Sequence, residues 1–198
     1  RRQAYDVALE QYIDQASALR DSGVSEHTTH LAQFLKREED ALDAATLWVE
    51  LDPENAEANN TLAQLLARQG RALEALPYLM AVKRETGDAK FPMLLKDFTQ
   101  LSAAERTELI QNIDALAADF PDDTSLLLTQ ALIQAEAGEF DSALSNLDRL
   151  LDLDAKKTPA LLLEAKILAE QNAAQPYERL QQTLQNHPDN NLLRLEYA

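Results

Sequence analysis

The chain has 198 residues, 45% of them hydrophobic and 26% charged, and this composition excludes an intrinsically disordered protein. Its 34 acidic side chains outnumber 18 basic ones, and the formal net charge of -16 gives a field that repels phosphate backbones and anionic lipid, so no nucleic acid partner is expected. The absence of cysteine excludes disulfides, thiolate chemistry and sulfur-ligated metals but leaves the compartment open.

Residues that interrupt helices are scarce. Four glycines and seven prolines are present, whereas Ala, Leu, Gln and Glu, which lose little side-chain freedom in a helix, fill most positions. No apolar run reaches the roughly 18 to 20 residues that span a bilayer. We therefore expect an all-α fold without direct membrane insertion, and its acidity indicates either a long solvated surface or a basic partner.

The first predicted element is a lone helix at about 3–18, in a segment 1–21 that carries the first of several recurring apolar pairs. The pairs are Ala8-Leu9, Ala41-Leu42, Ala75-Leu76, Leu109-Ile110 and Ala143-Leu144. They follow one another at steps of 33 or 34 residues, and the separation of 68 between Gly70 and Gly138 keeps the same phase. Such a fixed period indicates stacked structural repeats.

The period divides the rest of the chain into five repeats and the start of another. The repeats lie at about 22–54, 55–89, 90–123, 124–157 and 158–190, and the truncated first helix of the next at 191–198. In each repeat, apolar stripes at helical spacing predict two antiparallel helices, with a glycine such as Gly70 in the turn and small residues such as Ala63 and Ala75 at their contact. Because both ends look cut, we expect a single array, 1–198, that is an excerpt of a longer chain.

The first repeat contains His27, His30 and Trp48. The two histidines are spaced so that both could face one metal, but no third ligand lies at a usable distance, so we interpret them as surface residues. Trp48 is expected to pack in the core, as are Tyr5, Tyr12 and Tyr78.

The repeat at 90–123 is expected to be irregular. Asp97 and Leu109 replace the small contact residues, and Ala104 replaces the turn glycine. The segment from Ser102 to Glu105 predicts a capping box at the start of the second helix, and Pro92 is expected in the first turn of the first helix.

Catalytic motifs are missing from the sequence. We find no nucleophile motif and no glycine-rich phosphate loop, and the scattered carboxylates are typical of solvated helix faces. The sequence therefore predicts neither an enzyme nor a bound cofactor or metal.

Leu62-Ala63, Gly70, Ala75 and the turn Leu51-Asp52-Pro53 resemble the tetratricopeptide-repeat (TPR) pattern, although Asn59 and Leu127 stand where that pattern prefers an aromatic. The resemblance implies a right-handed solenoid of helix hairpins that binds a protein or peptide in a concave groove. Transferred positions predict a partner-binding site at Glu57, Asn60, Gln64, Arg68, Leu128, Leu132, Leu162 and Lys166. Flanking positions of the same groove are Ala67, Ser125, Ala135, Glu136 and Glu170. Asn60 and Leu128 replace the lysine of the peptide C-terminus clamp, which argues against that version of the groove.

The leucine triplets 126–128 and 161–163 each span about 200° of a helix. A stripe this wide is explained either by a first helix sandwiched between its partner and the next repeat or by an apolar concave pocket for a partner segment.

Four short runs of the sequence resemble bacterial outer-membrane TPR lipoproteins. They are 4–9, 20–24, 44–48 and 187–190. That resemblance implies a periplasmic adaptor, anchored through a lipidated N-terminus that is absent from this chain, which activates a carboxyl-terminal processing protease and brings substrates to it. The alternatives are a cytoplasmic location and, for function, a structural module that self-associates.

Overall fold

The computed structural model describes residues 2–188 and 190–197, and within them the side chains of all but 2–4, 192, 196 and 197. Over these residues every regular element is helical, which confirms the expected all-α class. The α-helices are α1 (Arg2–Leu19), α2 (Ser22–Phe34), α3 (Glu38–Leu51), α4 (Ala56–Arg68), α5 (Ala72–Thr86), α6 (Ala103–Asp119), α7 (Thr124–Glu136), α8 (Phe140–Leu153), α9 (Thr158–Glu170), α10 (Glu178–Asn186) and α11 (Asn191–Tyr197). The description does not include residues 1, 189 and 198. Residues 1 and 198 belong to the predicted terminal segments, and residue 189 belongs to the run 187–190.

The chain forms two compact units, Arg1–Arg106 and Thr107–Ala198, hereafter the first and second unit. In the first unit, α2 packs on α3 and α4 on α5, and α3 also contacts α4. In the second unit, α7 packs on α8 and α8 on α9, while α9 contacts α10 and α11. Each unit is therefore built from antiparallel hairpins of sequence neighbours.

Side-chain caps begin several first helices at nearly constant spacing. The Oδ1 atoms of Asp21, Asn55 and Asp123 accept hydrogen bonds from the backbone N–H groups of the first turns of α2, α4 and α7, at 2.8–3.0 Å. These bonds satisfy N–H groups that have no partner inside a helix. The repeat period therefore fixes where first helices start.

The hairpin turns need one left-handed residue each. Gly70 and Gly138, at φ values of +74° and +76°, confirm the predicted turn glycines. At the equivalent phase the structure has Lys36 and Asn172, at +59° and +55°. Glycine adopts this region without a steric cost and asparagine tolerates it, whereas lysine adopts it rarely, so the residue type is a weak turn signal at Asn172 and none at Lys36.

Small residues fill the helix contacts as expected. Ala63, Ala75, Ala131 and Ala143 are fully buried. Asn59, at a position that the repeat pattern prefers as aromatic, is also buried, and its Nδ2 donates to the carbonyl oxygens of Pro53 and Asn55.

The repeat at 90–123 is irregular, as predicted, but its first helix is not α-helical. Two short 3-10 helices, Phe91–Leu95 and Phe98–Gln100, replace it, and Pro92 lies in the first turn of the former. Phe91 and Leu94 are buried, and a three-residue turn places both on one side.

The capping box of this repeat is confirmed. The Ser102 N–H donates to Glu105 Oε2 at 2.8 Å, and the Glu105 N–H donates to Ser102 Oγ at 3.2 Å. Hydrogen bonding to Ser102 lowers the pKa of the Glu105 carboxyl. Helix α6 therefore has a defined start although the helix before it is broken.

Candidate partner-binding surfaces

The predicted site residues of the first unit lie along one side of α4. Glu57, Gln64 and Arg68 are exposed and Asn60 is half-buried, whereas Ala67 is buried. The spacing of three or four residues between the polar positions places them in one row. Helix α4 therefore presents a polar row, the α4 stripe, whose Glu57 Oε1 lies 3.7 Å from Nε2 of His30.

The predicted site residues of α7 have a different environment. Leu128 is 5% exposed and belongs to the hydrophobic core of the second unit, and Leu132 packs against that core. Leu126 and Leu127 are also buried. Of the two explanations for the leucine triplet 126–128, the structure favours a sandwiched helix, so a charge at Leu128 would disrupt the core instead of testing a groove.

Helix α9 places its predicted residues in an open groove. Leu162, Lys166 and Glu170 lie there together and face α10 and the segment before it. The full lining of this groove, the α9–α10 groove, is Leu162, Ala165, Lys166, Ala169, Glu170, Tyr177 and Leu180. Its volume is about 600 Å³, and it is largely open to solvent.

The groove combines apolar and charged groups. Leu180 is buried and Leu162 half-buried, so they form an apolar floor. Lys166 Nζ lies 3.9 Å from Glu170 Oε1, and both side chains are largely exposed. Tyr177 is 42% exposed at the edge. Sequence reasoning missed Tyr177 because it lies in an irregular connection, for which the repeat pattern assigns no role.

An ion-pair cluster joins the helices on which the groove is built. Arg179 Nη1 of α10 lies 2.9 Å from Glu164 Oε1 of α9 and 2.8 Å from Asp148 Oδ1 of α8. Glu164 is 8% exposed, and its burial raises the pKa of its carboxyl. The positive charge of Arg179 lowers that pKa, and the negative charge of Asp148 raises it. Arg179 therefore connects three helices and positions α10 against α9.

The histidines are surface residues, as expected. The ring of His27 packs at a tilt of 52° against that of Tyr12, with 4.6 Å between ring centroids, and His30 packs edge-on against Trp48 at 5.7 Å. The two rings therefore have separate neighbours. Among the residues that the structure describes, no group of three His, Cys, Asp or Glu side chains is placed to hold a metal ion.

The aromatic predictions are correct in part. Trp48 is 1% exposed and lies in the core, whereas Tyr5 is 49% exposed, so the prediction for Tyr5 is wrong. Tyr5 lies instead against Phe34, which is 72% exposed at the end of α2. Tyr12 and Tyr78 are half-buried.

No helix in the described part of the chain is both long enough and apolar enough to cross a bilayer.

The helix hairpins recur at a period of 34 residues, which is the period of the tetratricopeptide-repeat fold. Several first helices are capped, and a left-handed residue lies at a constant phase in the hairpin turns. The sequence resemblance to TPR proteins is thereby confirmed.

Comparison with known proteins supports the same fold. The TPR repeat-containing protein PA4667 of Pseudomonas aeruginosa is 34% identical over 203 residues, an alignment that covers 100% of this chain and 34% of that protein. The chain thus spans about a third of the length of its curated relative. No protein-family model matches the chain.

Solved structures share the fold at low sequence identity. The type IV pilus biogenesis factor PilW matches with a TM-score of 0.59 and 18% identity, over 99% of this chain and 92% of PilW. TTC0263, a TPR protein of Thermus thermophilus, also matches with a TM-score of 0.59 and 18% identity, over 89% of this chain and 97% of TTC0263.

Proposed function

We propose that the chain is a non-catalytic protein-interaction scaffold that binds a partner polypeptide in the α9–α10 groove. The observation that carries this proposal is the groove itself, which has an apolar floor at Leu162 and Leu180 and opposite charges at Lys166 and Glu170.

The shape of the groove suits a polypeptide better than a small molecule. Small-molecule sites bury most of the ligand surface inside a cleft, whereas this groove is largely open to solvent. Helical-repeat proteins bind partners over extended surfaces, and an apolar floor accepts anchoring side chains of a helix or strand. Lys166 and Glu170 can then pair with charges of the partner at the edge, where they favour one orientation of the bound chain.

The α4 stripe is proposed as a second contact surface. Glu57, Asn60, Gln64 and Arg68 offer donors and acceptors without an apolar floor. Exposed polar contacts of this kind contribute to specificity more than to affinity, because water competes for each hydrogen bond. We expect its single substitutions to have small effects on binding.

The finer form of the proposal concerns the partner and the compartment. The sequence resemblance to outer-membrane TPR lipoproteins supports a periplasmic adaptor that activates a carboxyl-terminal processing protease and delivers substrates. The bacterial relative, which matches this chain from end to end, is compatible with that origin.

A photo-crosslinking experiment tests the scaffold. Benzoylphenylalanine is placed at Tyr177 in the full-length protein, and at Leu153, which is 50% exposed on α8 outside the groove, as a matched control. We expect an adduct of one defined mass from position 177 that is absent from position 153 and is lost with Lys166→Glu. Equal adducts at both positions, or none at 177, would contradict the groove as the binding site.

Purified components then test the finer form. The full-length protein is expected to increase the rate of a purified carboxyl-terminal processing protease. The exposed change Lys166→Glu should raise the concentration needed for half-maximal stimulation at least about tenfold, equivalent to about 1.4 kcal/mol of binding free energy. Leu153→Glu should leave it unchanged. Light scattering with size exclusion separates this outcome from the self-association alternative, which predicts a dimer or larger species without any partner.

A further inference from the structure

A third surface, separate from the α9–α10 groove, lies at the turn between α2 and α3 and shares Arg68 with the α4 stripe. It consists of two adjoining depressions that share Lys36. One, of about 430 Å³, is lined by Tyr5, Phe34, Leu35 and Lys36, and the other, of about 330 Å³, is lined by Gln33, Lys36, Arg37, Glu38, Ala41 and Arg68. We name the two together the α2–α3 turn surface.

One half of this surface is aromatic. Phe34 is 72% exposed, and its ring lies edge-on to that of Tyr5 with 6.0 Å between the centroids. Tyr5 comes from α1 and Phe34 from the last turn of α2, so two separate elements bring these rings together. Aromatic side chains are enriched in protein interfaces, and exposed apolar patches mark interaction sites.

The other half is basic, in a protein whose net charge is -16. Among the described residues, Lys36 and Arg68 have no carboxylate within salt-bridge distance, whereas Arg37 is paired with Asp40 at 2.8 Å. Lys96 adds a further positive charge, because its Nζ donates to the carbonyl oxygen of Arg68 at 3.1 Å. Glu38 is the acidic residue of the lining, so the depression keeps a positive excess.

The backbone at Lys36 is unusual. Its φ of +59° lies in the left-handed region, at the phase where Gly70 and Gly138 occupy the equivalent turns. A side chain in this region carries a steric cost that glycine avoids. The turn nevertheless holds a lysine, beside the exposed ring of Phe34.

A structural role for these cations is the competing explanation. Arg68 ends α4 and Lys36 follows the end of α2, and cations near helix C-termini stabilise the helix dipole. That role requires no aromatic neighbour, and it predicts an effect on stability without any on binding.

We propose that the α2–α3 turn surface docks an internal acidic segment of a partner polypeptide, in which an apolar side chain stands beside carboxylates. The apolar side chain packs on Tyr5 and Phe34, and the carboxylates pair with Lys36 and Arg68. Charge complementarity selects this occupant, because Lys36 and Arg68 give the lining a local positive excess over Glu38.

The test is a display selection of random peptides with blocked C-termini on the full-length protein. We expect enrichment of sequences that combine Asp or Glu with Phe, Trp or Leu. The affinity of the enriched peptides should fall at least tenfold in the double variant Lys36→Glu with Arg68→Glu, and similarly in Phe34→Ser, and it should fall as salt is raised.

The matched control is Arg84→Glu with Lys90→Glu, which makes the same change in net charge at exposed residues of the first unit that line neither depression. The control should keep the affinity, and Lys36→Glu with Arg68→Glu should bind peptides whose acidic residues are replaced by lysine. Circular dichroism and Trp48 emission verify that each variant is folded.

Three results would overturn the proposal. The first is a selection that does not enrich peptides combining acidic with apolar residues. This result is expected if another segment of the full-length protein covers Tyr5 and Phe34. The second is an equal loss of affinity in the control, which would indicate a general charge effect. The third is a self-associated species that disappears with Phe34→Ser, which would make a second copy the occupant.

Discussion

Replacing Arg179 by methionine is expected to destabilise the second unit far more than the loss of an ordinary surface ion pair. The side chain of Arg179 is 42% exposed, but it pairs with the carboxylate of Glu164, whose side chain is only 11% exposed. Methionine keeps the aliphatic part of the side chain and removes the charge. In the variant, Glu164 therefore remains buried but has lost its positively charged partner.

The magnitude follows from that burial. Breaking a fully buried pair costs about 3 to 5 kcal/mol, and because water reaches one partner here we expect about 2 kcal/mol for Arg179→Met. For a unit of this size that corresponds to a fall in the melting temperature of the second unit of roughly 8 to 16 °C. Lys166→Met is the matched control, since the pair of Lys166 with Glu170 is long and exposed. Its cost should stay below about 0.5 kcal/mol.

The dependence of stability on pH gives an independent check. Burial raises the pKa of the Glu164 carboxyl, and loss of Arg179 should raise it further. The folded state then binds the proton more tightly than the unfolded state, so the penalty is absent below the unfolded pKa of about 4.3 and grows as pH rises through the folded pKa. The difference in stability between Arg179→Met and the wild type should therefore shrink as pH is lowered from about 7 to about 4.

Thermal melts followed by circular dichroism give the overall shift, and hydrogen exchange of peptides from α9 and α10 locates it, since the two units need not unfold together. An equal shift in Arg179→Met and Lys166→Met, or a penalty independent of pH, would refute the reasoning.

Further substitutions test the remaining structural assignments. Leu128→Ala should cost about 2 to 4 kcal/mol in denaturant unfolding, and a cost below about 1 kcal/mol would place that side chain outside the core. Asp123→Ala should cost about 1 kcal/mol and increase hydrogen exchange in the first turn of α7, whereas unchanged exchange there would contradict its capping role. Gly138→Ala should cost about 1 kcal/mol because of its left-handed backbone, and a more stable variant in thermal melts would contradict that conformation.

The repeat pattern determined the helices because its signals are local. Apolar spacing, the capping side chains and the turn glycines Gly70 and Gly138 act within about ten residues of chain, so the sequence alone indicates where helices begin, end and reverse. The capping box at Ser102 is of the same kind and was predicted correctly. The sequence analysis did not identify the turns at Lys36 and Asn172 because neither residue is a glycine, although asparagine tolerates the left-handed conformation.

The candidate sites could be predicted only in part from the same pattern. It identified Leu162 and Lys166, which lie in the α9–α10 groove, by their phase in the repeat. It gave the same phase to Leu128, which the structure buries. The phase specifies a direction from the helix axis, but not whether another element lies in that direction.

Tertiary structure alone decided which surfaces are open. Tyr177 reaches the α9–α10 groove from an irregular connection, Arg179 pairs with Glu164 across two helices, and Phe34 meets Tyr5 from a different helix. Each of these contacts depends on how separate elements pack, and packing depends on the summed shapes of many side chains. A periodic sequence therefore determines the repeated hairpin, whereas the places where the hairpins leave a groove, a charge or an aromatic ring exposed follow only from their assembly.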